Sequence, residues 1–278
     1  MIAVALALAA STAWGCSQFL VGLQGRRVAL LALATGAQGA GLVLIGAVVL
    51  VRGVGPPGLE SALFALVAGV GAAGTVAVFY RALAIGALGI VAPIVGTVGA
   101  VPVAFGMLTG ERPGGLAGVG VVLALLGVVL ASFQPRGTLG GRVATGVGLA
   151  LVATLGIGIF FVLISLASRA DPYWAVLLSH SASFGLLGAA ALVVRPSLAF
   201  SRADGGRIAV AGLLDTGGSA MFAVASTLGL VSIVAVLASL YPVVTIVLAR
   251  VVLRERLRVA QRAGALVAIA GAATIAAG

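Results

Sequence analysis

At 278 residues, 62% of them hydrophobic and 8% charged, with a mean hydropathy of +1.30, the chain is excluded from the water-soluble class, where about a quarter of residues carry charge. The net charge of +10 rests on sixteen arginines and no lysine. These arginines sit mostly at the ends of apolar stretches, which fits anchoring at anionic head groups and excludes a basic stripe for nucleic acid; without lysine there is no P-loop for nucleotide-driven pumping.

Apolar stretches of about 20 residues, each long enough for a ~30 Å hydrocarbon core, predict an all-α integral membrane fold. The continuous apolarity speaks against the alternating pattern of a barrel. The first span, 2–23, lacks a basic n-region and reads as a retained helix rather than a cleaved signal. It carries Trp14, Ser17 and Gln18, with Trp14 and Gln18 four apart on one face, and Cys16, the only cysteine, which can form neither an internal disulfide nor a cysteine-based metal site. The second span, 28–51, contributes Gln38, and the third, 61–83, ends near Tyr80. Trp14, Ser17, Gln18, Gln38 and Tyr80 are thus candidates for lining a cavity. The fourth, 90–108, contains Pro93 and Pro102, expected to act as hinges because proline frees a carbonyl and kinks a helix. Glu111 and Arg112 follow it as an expected boundary ion pair, before a fifth span over 114–133.

The stretch 134–143, with Pro135, Gly137, Gly140 and Gly141, breaks helical periodicity and predicts a linker. The sixth span covers 144–168, and Asp171-Pro172 then leads into Tyr173 and Trp174, expected in an interfacial aromatic belt. The seventh span, 173–194, holds His180, the only histidine, whose unperturbed pKa of about 6.5 suits proton exchange. The eighth, 208–227, holds Asp215 inside Leu213-Leu214-Asp215-Thr216-Gly217-Gly218-Ser219. An intramembrane carboxylate is costly and normally faces a bundle interior or wet cavity, which makes Asp215 the sharpest candidate for binding substrate or protons. The ninth span, 233–252, carries Tyr241 as a further wall residue and Pro242 as a third hinge, and a tenth runs over 260–277.

The halves repeat each other. At an offset of 143, Gly15 maps to Gly158, Arg26 to Arg169, Arg52 to Arg195, Gly86 to Gly229 and Ile90-Val91-Ala92 to Ile233-Val234-Ala235; at 144, Glu111-Arg112 maps to Glu255-Arg256 and Gly120 to Gly264. This predicts two domains, 1–134 and 142–278, of five helices each. An odd number of spans per repeat inverts the second half, the arrangement of many secondary transporters with a midplane site. Thirteen arginines fall on the side of the first connection and three (Arg52, Arg112, Arg169) on the side of the termini. The positive-inside rule then puts both termini outside the cytoplasm.

Ala13-Trp14-Gly15 with Ser17, the run Phe79-Tyr80-Arg81-Ala82-Leu83-Ala84-Ile85-Gly86, Pro93 and Gly110-Glu111-Arg112 resemble the EamA-type repeat of the drug/metabolite transporter superfamily. The second half carries the likeness again in Ser239-Leu240-Tyr241-Pro242-Val243 and Arg254-Glu255-Arg256-Leu257 with Gln261 and Gly264, although Arg254 stands where that family has glycine. The resemblance implies ten helices in two inverted five-helix repeats, a central cavity, and export or import of small metabolites by alternating access. We expect an exporter of small metabolites or drug-like solutes, and the Ala-, Gly- and Arg-rich, lysine-free composition fits a high-GC bacterial genome and so a bacterial inner membrane. It also implies cytoplasmic termini, opposite to the arginine count. No cofactor or metal follows from it, and the expected partners are the lipid bilayer, a small-molecule substrate, possible coupling protons and, at most, a second copy in a homodimer. The alternatives are an intramembrane enzyme, which would need clustered His, Asp, Glu or Cys that this chain lacks, and a non-transporting membrane partner or sensor, for which there is no soluble output domain.

Overall fold

A computed structural model of the chain describes residues 1–25, 27–85, 94–132, 143–196, 201–254 and 258–278. Among them all regular structure is helical, as lipid requires of a backbone that must satisfy its own polar groups. The helices are α1 (Ile2–Gln24), α2 (Leu30–Arg52), α3 (Leu59–Ile85), α4 (Ala100–Leu108), α5 (Gly115–Ala131), α6 (Val143–Ser168), α7 (Pro172–Val194), α8 (Arg202–Leu228), α9 (Val231–Ala238), α10 (Tyr241–Val252) and α11 (Val259–Ala277). Eight apolar helical segments are long enough to cross a bilayer, counting α9 with α10 as Val231–Val252, and α5 is a shorter apolar helix of 17 residues.

Local sequence sets the helix ends. Asp171 caps α7, its carboxylate accepting from the N–H groups of Tyr173 and Trp174 at 2.9 Å each, while Pro172 occupies the first turn, where an N–H has no intrahelical partner. Ser201 and Asp204 form a reciprocal capping box at α8. Gly53 closes α2 with φ of 63°, a conformation L side chains rarely adopt.

Two expected spans are not continuous helices. The ninth breaks at Ser239 and Leu240, where Leu240 N–H donates to Leu237 O at 3.3 Å in a tight turn. The described part of the fourth has its turn over 96–99, with Ala100 N–H donating to Thr97 O at 2.8 Å. The two breaks stand 143 positions apart, the offset seen in the sequence, since 96 is carried onto 239. Pro102 and Pro242 are the third residue of α4 and the second of α10. Each therefore starts a half-helix, where the missing N–H is harmless, rather than bending a continuous one. Pro93 lies outside the described residues.

Helix contact in lipid gains nothing from apolar burial and depends on close packing. The α5–α11 pair shows this: a Cβ on Gly127 would lie 2.6 Å from the Cα of Ala268, and one on Gly271 would lie 2.8 Å from the Cα of Ala124. Gly120 abuts Ile275 and Gly264 abuts Ala131, so the two helices run antiparallel. The partners exchange under the offset of 144. The same exchange, at 143, relates Gly15 against Val244 (α1–α10) to Gly158 against Val101 (α6–α4).

Glu111 does not form the expected boundary ion pair with Arg112. Its two carboxylate oxygens instead accept the N–H groups of Val231 at 2.7 Å and Ser232 at 2.9 Å, the first two residues of α9. A carboxylate there satisfies orphan donors and meets the positive end of the helix dipole. Glu255 and Arg256 lie outside the described residues. Two further polar ties join the halves at this same end of the bundle. Arg52 makes a bidentate pair with Asp171 (2.9 and 2.8 Å), its guanidinium 4.3 Å from the Tyr173 ring centroid, and Trp174 Nε1 donates to Val54 O at 2.9 Å.

Candidate functional site

A cavity of about 480 Å³ lies where the two halves meet, within the range of pockets that hold drug-sized solutes. Its walls come from the second half of α1 (Trp14 to Val21), the first half of α2 (Leu30 to Gln38), the middle of α3, α6 and α8, α7 from Ser179 to Leu187, and the start of α10. Leu30 begins α2, and Ser132 directly follows α5. The cavity therefore reaches the end of the bundle opposite the Glu111 and Arg52 ties.

Of the side chains expected to meet, Trp14, Ser17, Gln18, Gln38, His180, Asp215 and Tyr241 all line this one cavity, as does Pro242. Tyr80 belongs to α3, but its side chain lies outside those described. Trp14 is the hub of the floor: its ring stacks on Phe161 (centroids 5.5 Å apart, planes at 22°) and meets Tyr241 edge-on at 6.5 Å. Its Nε1 donates to the backbone oxygen of Asp215 at 3.1 Å, and Ser17 Oγ donates to Ala211 O at 2.9 Å. Two polar residues of α1 are thus spent on seating that helix against α8, and they hold Asp215 at a fixed depth. Ser219 Oγ also donates to the Asp215 backbone oxygen, at 3.0 Å.

The Asp215 side chain is half-buried, and no described residue donates to its carboxylate or pairs with it. His180 is 5% exposed, with Nδ1 3.4 Å from Thr216 Oγ1. His180 and Asp215 share the cavity, but no hydrogen bond or ion pair joins them directly; His180 instead meets Thr216, the neighbour of Asp215.

Several lining residues escaped the sequence reading, among them Ile157, Phe160, Phe161, Thr75, Ser183 and Ser219. Some of them stand at the sequence offset of 143 from residues that were singled out. An offset of 143 carries Trp14, Ser17 and Gln18 onto Ile157, Phe160 and Phe161, and Ala72 and Val76 onto Asp215 and Ser219, and every one of these ten positions lines the cavity. Chemically the pairs differ, with polar groups facing apolar ones, so a search by residue type passes over them.

Residues 144–277 match the EamA-like transporter family. This half of the chain belongs to that family, within the drug/metabolite transporter superfamily. The EamA-like match together with the multi-span helical fold supports a membrane transporter of the drug/metabolite type. Among solved structures, one crystal structure of a protein is similar over 98% of this chain and 95% of its own, with a TM-score of 0.80. At 18% identity that likeness shows the fold alone. A comparison with curated proteins gives no match. The EamA-like half supplies His180, Asp215, Tyr241 and Phe161 to the cavity, while Trp14, Ser17, Gln18 and Gln38 come from the half before it.

Proposed function

We propose that the chain is a secondary active exporter of small metabolites or drug-like solutes, working by alternating access in the cytoplasmic membrane of a bacterium. The reading takes it as ten helices in two inverted five-helix repeats, 1–134 and 142–278. Antiparallel packing of α5 against α11 through exchanged glycine contacts supports the inversion, because equivalent helices of parallel repeats would run the same way.

The observation that carries the proposal is the disposition of the cavity. It is walled by both halves, holds Asp215 and His180 at mid-membrane depth, reaches one end of the bundle, and is shut off at the other by ties that each join one half to the other. Breaking those ties and closing the Leu30–Ser132 end would deliver the solute to the opposite face. The reading takes the arginine count over the cytoplasmic termini that the family resemblance implies, so that the open end faces the cytoplasm, where an exporter loads. Asp215 and His180 are the groups that recognise the solute or carry its coupling proton. The broken fourth and ninth spans supply the joints, with Pro102 and Pro242 as fixed starts of the half-helices.

The test is solute-dependent proton flux in proteoliposomes enclosing a pH-sensitive dye, challenged with amino acids, sugars, nucleosides and organic cations. A solute-dependent pH change supports coupled transport. Asp215→Asn should abolish it while the protein still inserts and elutes as a folded species. Unaltered coupled flux in that variant would remove Asp215 from the mechanism, and absence of both proton flux and tracer movement across the whole panel would overturn the transporter reading.

A further inference from the structure

We propose that the cavity is built for a protonated amine carried on an aromatic or bulky apolar body, with its N–H groups directed at Asp215. This rests on the transport reading above and adds the chemical class of solute. Three observations converge on it. First, among the described residues Asp215 is the only formally charged side chain on the cavity wall, and its carboxylate receives no hydrogen bond or ion pair from any of them. None of the described arginines lines the cavity, although the chain has sixteen in all. A carboxylate withdrawn from water is strongly disfavoured unless a positive or N–H-bearing group meets it.

Second, the cavity holds one more acceptor in want of a partner. Gln38 lines the same cavity, and its Oε1 is buried without a donor. Four donors near Asp215 are committed elsewhere: Trp14 Nε1 and Ser219 Oγ to its backbone oxygen, Ser17 Oγ to Ala211 O, and Ser183 Oγ to Gly69 O at 2.7 Å. The Tyr241, Thr75 and Ser179 hydroxyls and the Gln18 amide also line the cavity, and none of them is bonded to the Asp215 carboxylate. A solute that donates hydrogen bonds meets the two cavity acceptors, the Asp215 carboxylate and Gln38 Oε1, that no described donor serves. A solute carboxylate would face Asp215 with no described cation to receive it.

Third, the remaining lining is aromatic and aliphatic. Trp14, Phe160, Phe161 and Tyr241 present ring surface to the cavity, suited both to an apolar body and, through the ring faces, to a cation. The demand for N–H donors separates this expectation from a general preference for positive charge. A primary or secondary ammonium satisfies it, and a quaternary one does not.

The test is calorimetric binding to the full chain in lipid nanodiscs, using solutes that share a phenylethyl body: 2-phenylethylammonium, its N,N,N-trimethyl form, 2-phenylethanol, phenylalanine and 3-phenylpropanoate. The ammonium should bind tighter than each of the others by about tenfold or more, as expected when one partner of a buried charge pair is missing. Asp215→Asn should reduce its affinity to that of 2-phenylethanol, and unchanged binding of 2-phenylethanol to the variant shows that the cavity is still formed. Equal binding of the alcohol, the zwitterion or the anion would overturn the amine assignment while leaving a solute cavity in place. Equal binding of the trimethyl form would overturn the requirement for N–H donors. No binding by any of the five would count against the amine and the transport reading together.

Discussion

Replacing Glu111 by alanine removes the acceptor of two backbone N–H groups at once. Val231 is 8% exposed and Ser232 is 0% exposed, so water cannot take the place of the carboxylate. A buried donor left unsatisfied costs about 1–3 kcal/mol, so the pair costs about 2–6 kcal/mol, to which loss of a negative charge at a helix N-terminus adds about 0.3–1 kcal/mol. If these bonds hold one end of the cavity shut, the cost falls on the shut state, and at 1.4 kcal/mol per tenfold even the lower bound shifts the open-to-shut ratio by about thirtyfold. Glu111→Gln keeps one acceptor and turns an amide N–H2 toward the other donor, so its shift should lie between alanine and the natural residue. The assay is thiol labelling of Ser11→Cys in a Cys16→Ala background, with a membrane-impermeant maleimide added from the side of the α1 N-terminus. Ser11 is 2% exposed and lies between the Trp14 floor and that end. Labelling should rise in the order Glu, Gln, Ala. A fall in Tm with labelling unchanged in both variants would show that the bonds persist in every state, and would refute their role as a latch.

Burial by itself would push the Asp171 carboxyl up, but the bidentate Arg52 guanidinium and the N–H groups of Trp174 and Tyr173 outweigh it and hold the carboxyl below its ordinary value. A carboxylate so depressed stabilises the folded chain above the unfolded value of about 3.9 and loses that contribution as pH falls through the folded one. Asp171→Asn should therefore lower Tm by a steady amount near neutral pH, the gap narrowing below about pH 4; a gap that does not change with pH would separate the pair from stability. Gly127→Val should destabilise by about 1–3 kcal/mol or more, because the atoms it meets are the backbone of Ala268 and cannot swing aside. Gly118→Val, on the same helix with nothing within 4 Å, should melt close to the natural protein, and equal losses at both sites would contradict the packing account. Trp14→Phe keeps a ring on Phe161 but removes the Nε1 donor to Asp215 O, and should weaken solute binding by more than its modest fall in Tm accounts for if that bond sets the depth of the carboxylate.

Much of the site was legible before the fold. Polar residues are scarce in an apolar chain, and each must find water or a partner, which is why Trp14, Ser17, Gln18, Gln38, His180, Asp215 and Tyr241 could be singled out and then found around one cavity. Phe160 and Phe161 could not be separated by type from the other apolar residues of α6, since aromatic rings serve packing and binding equally. Glu111 was misread for a different reason. Its neighbour in sequence is Arg112, but its partners, Val231 and Ser232, are about 120 positions away, and only the meeting of the two halves brings a helix N-terminus to it.

The sequence by itself determined the solvent and the helical membrane class, because apolar run length and the scarcity of charge are properties of order and composition along the chain. Only the tertiary structure decided which ends are tied and which groups lack partners. Breaks at 96–99 and 239–240, the Arg52–Asp171 pair and an Asp215 carboxylate without a partner among the described residues all depend on which helices touch. In lipid that choice is made by the fit of glycine against backbone, and apolar pattern alone carries little information about it.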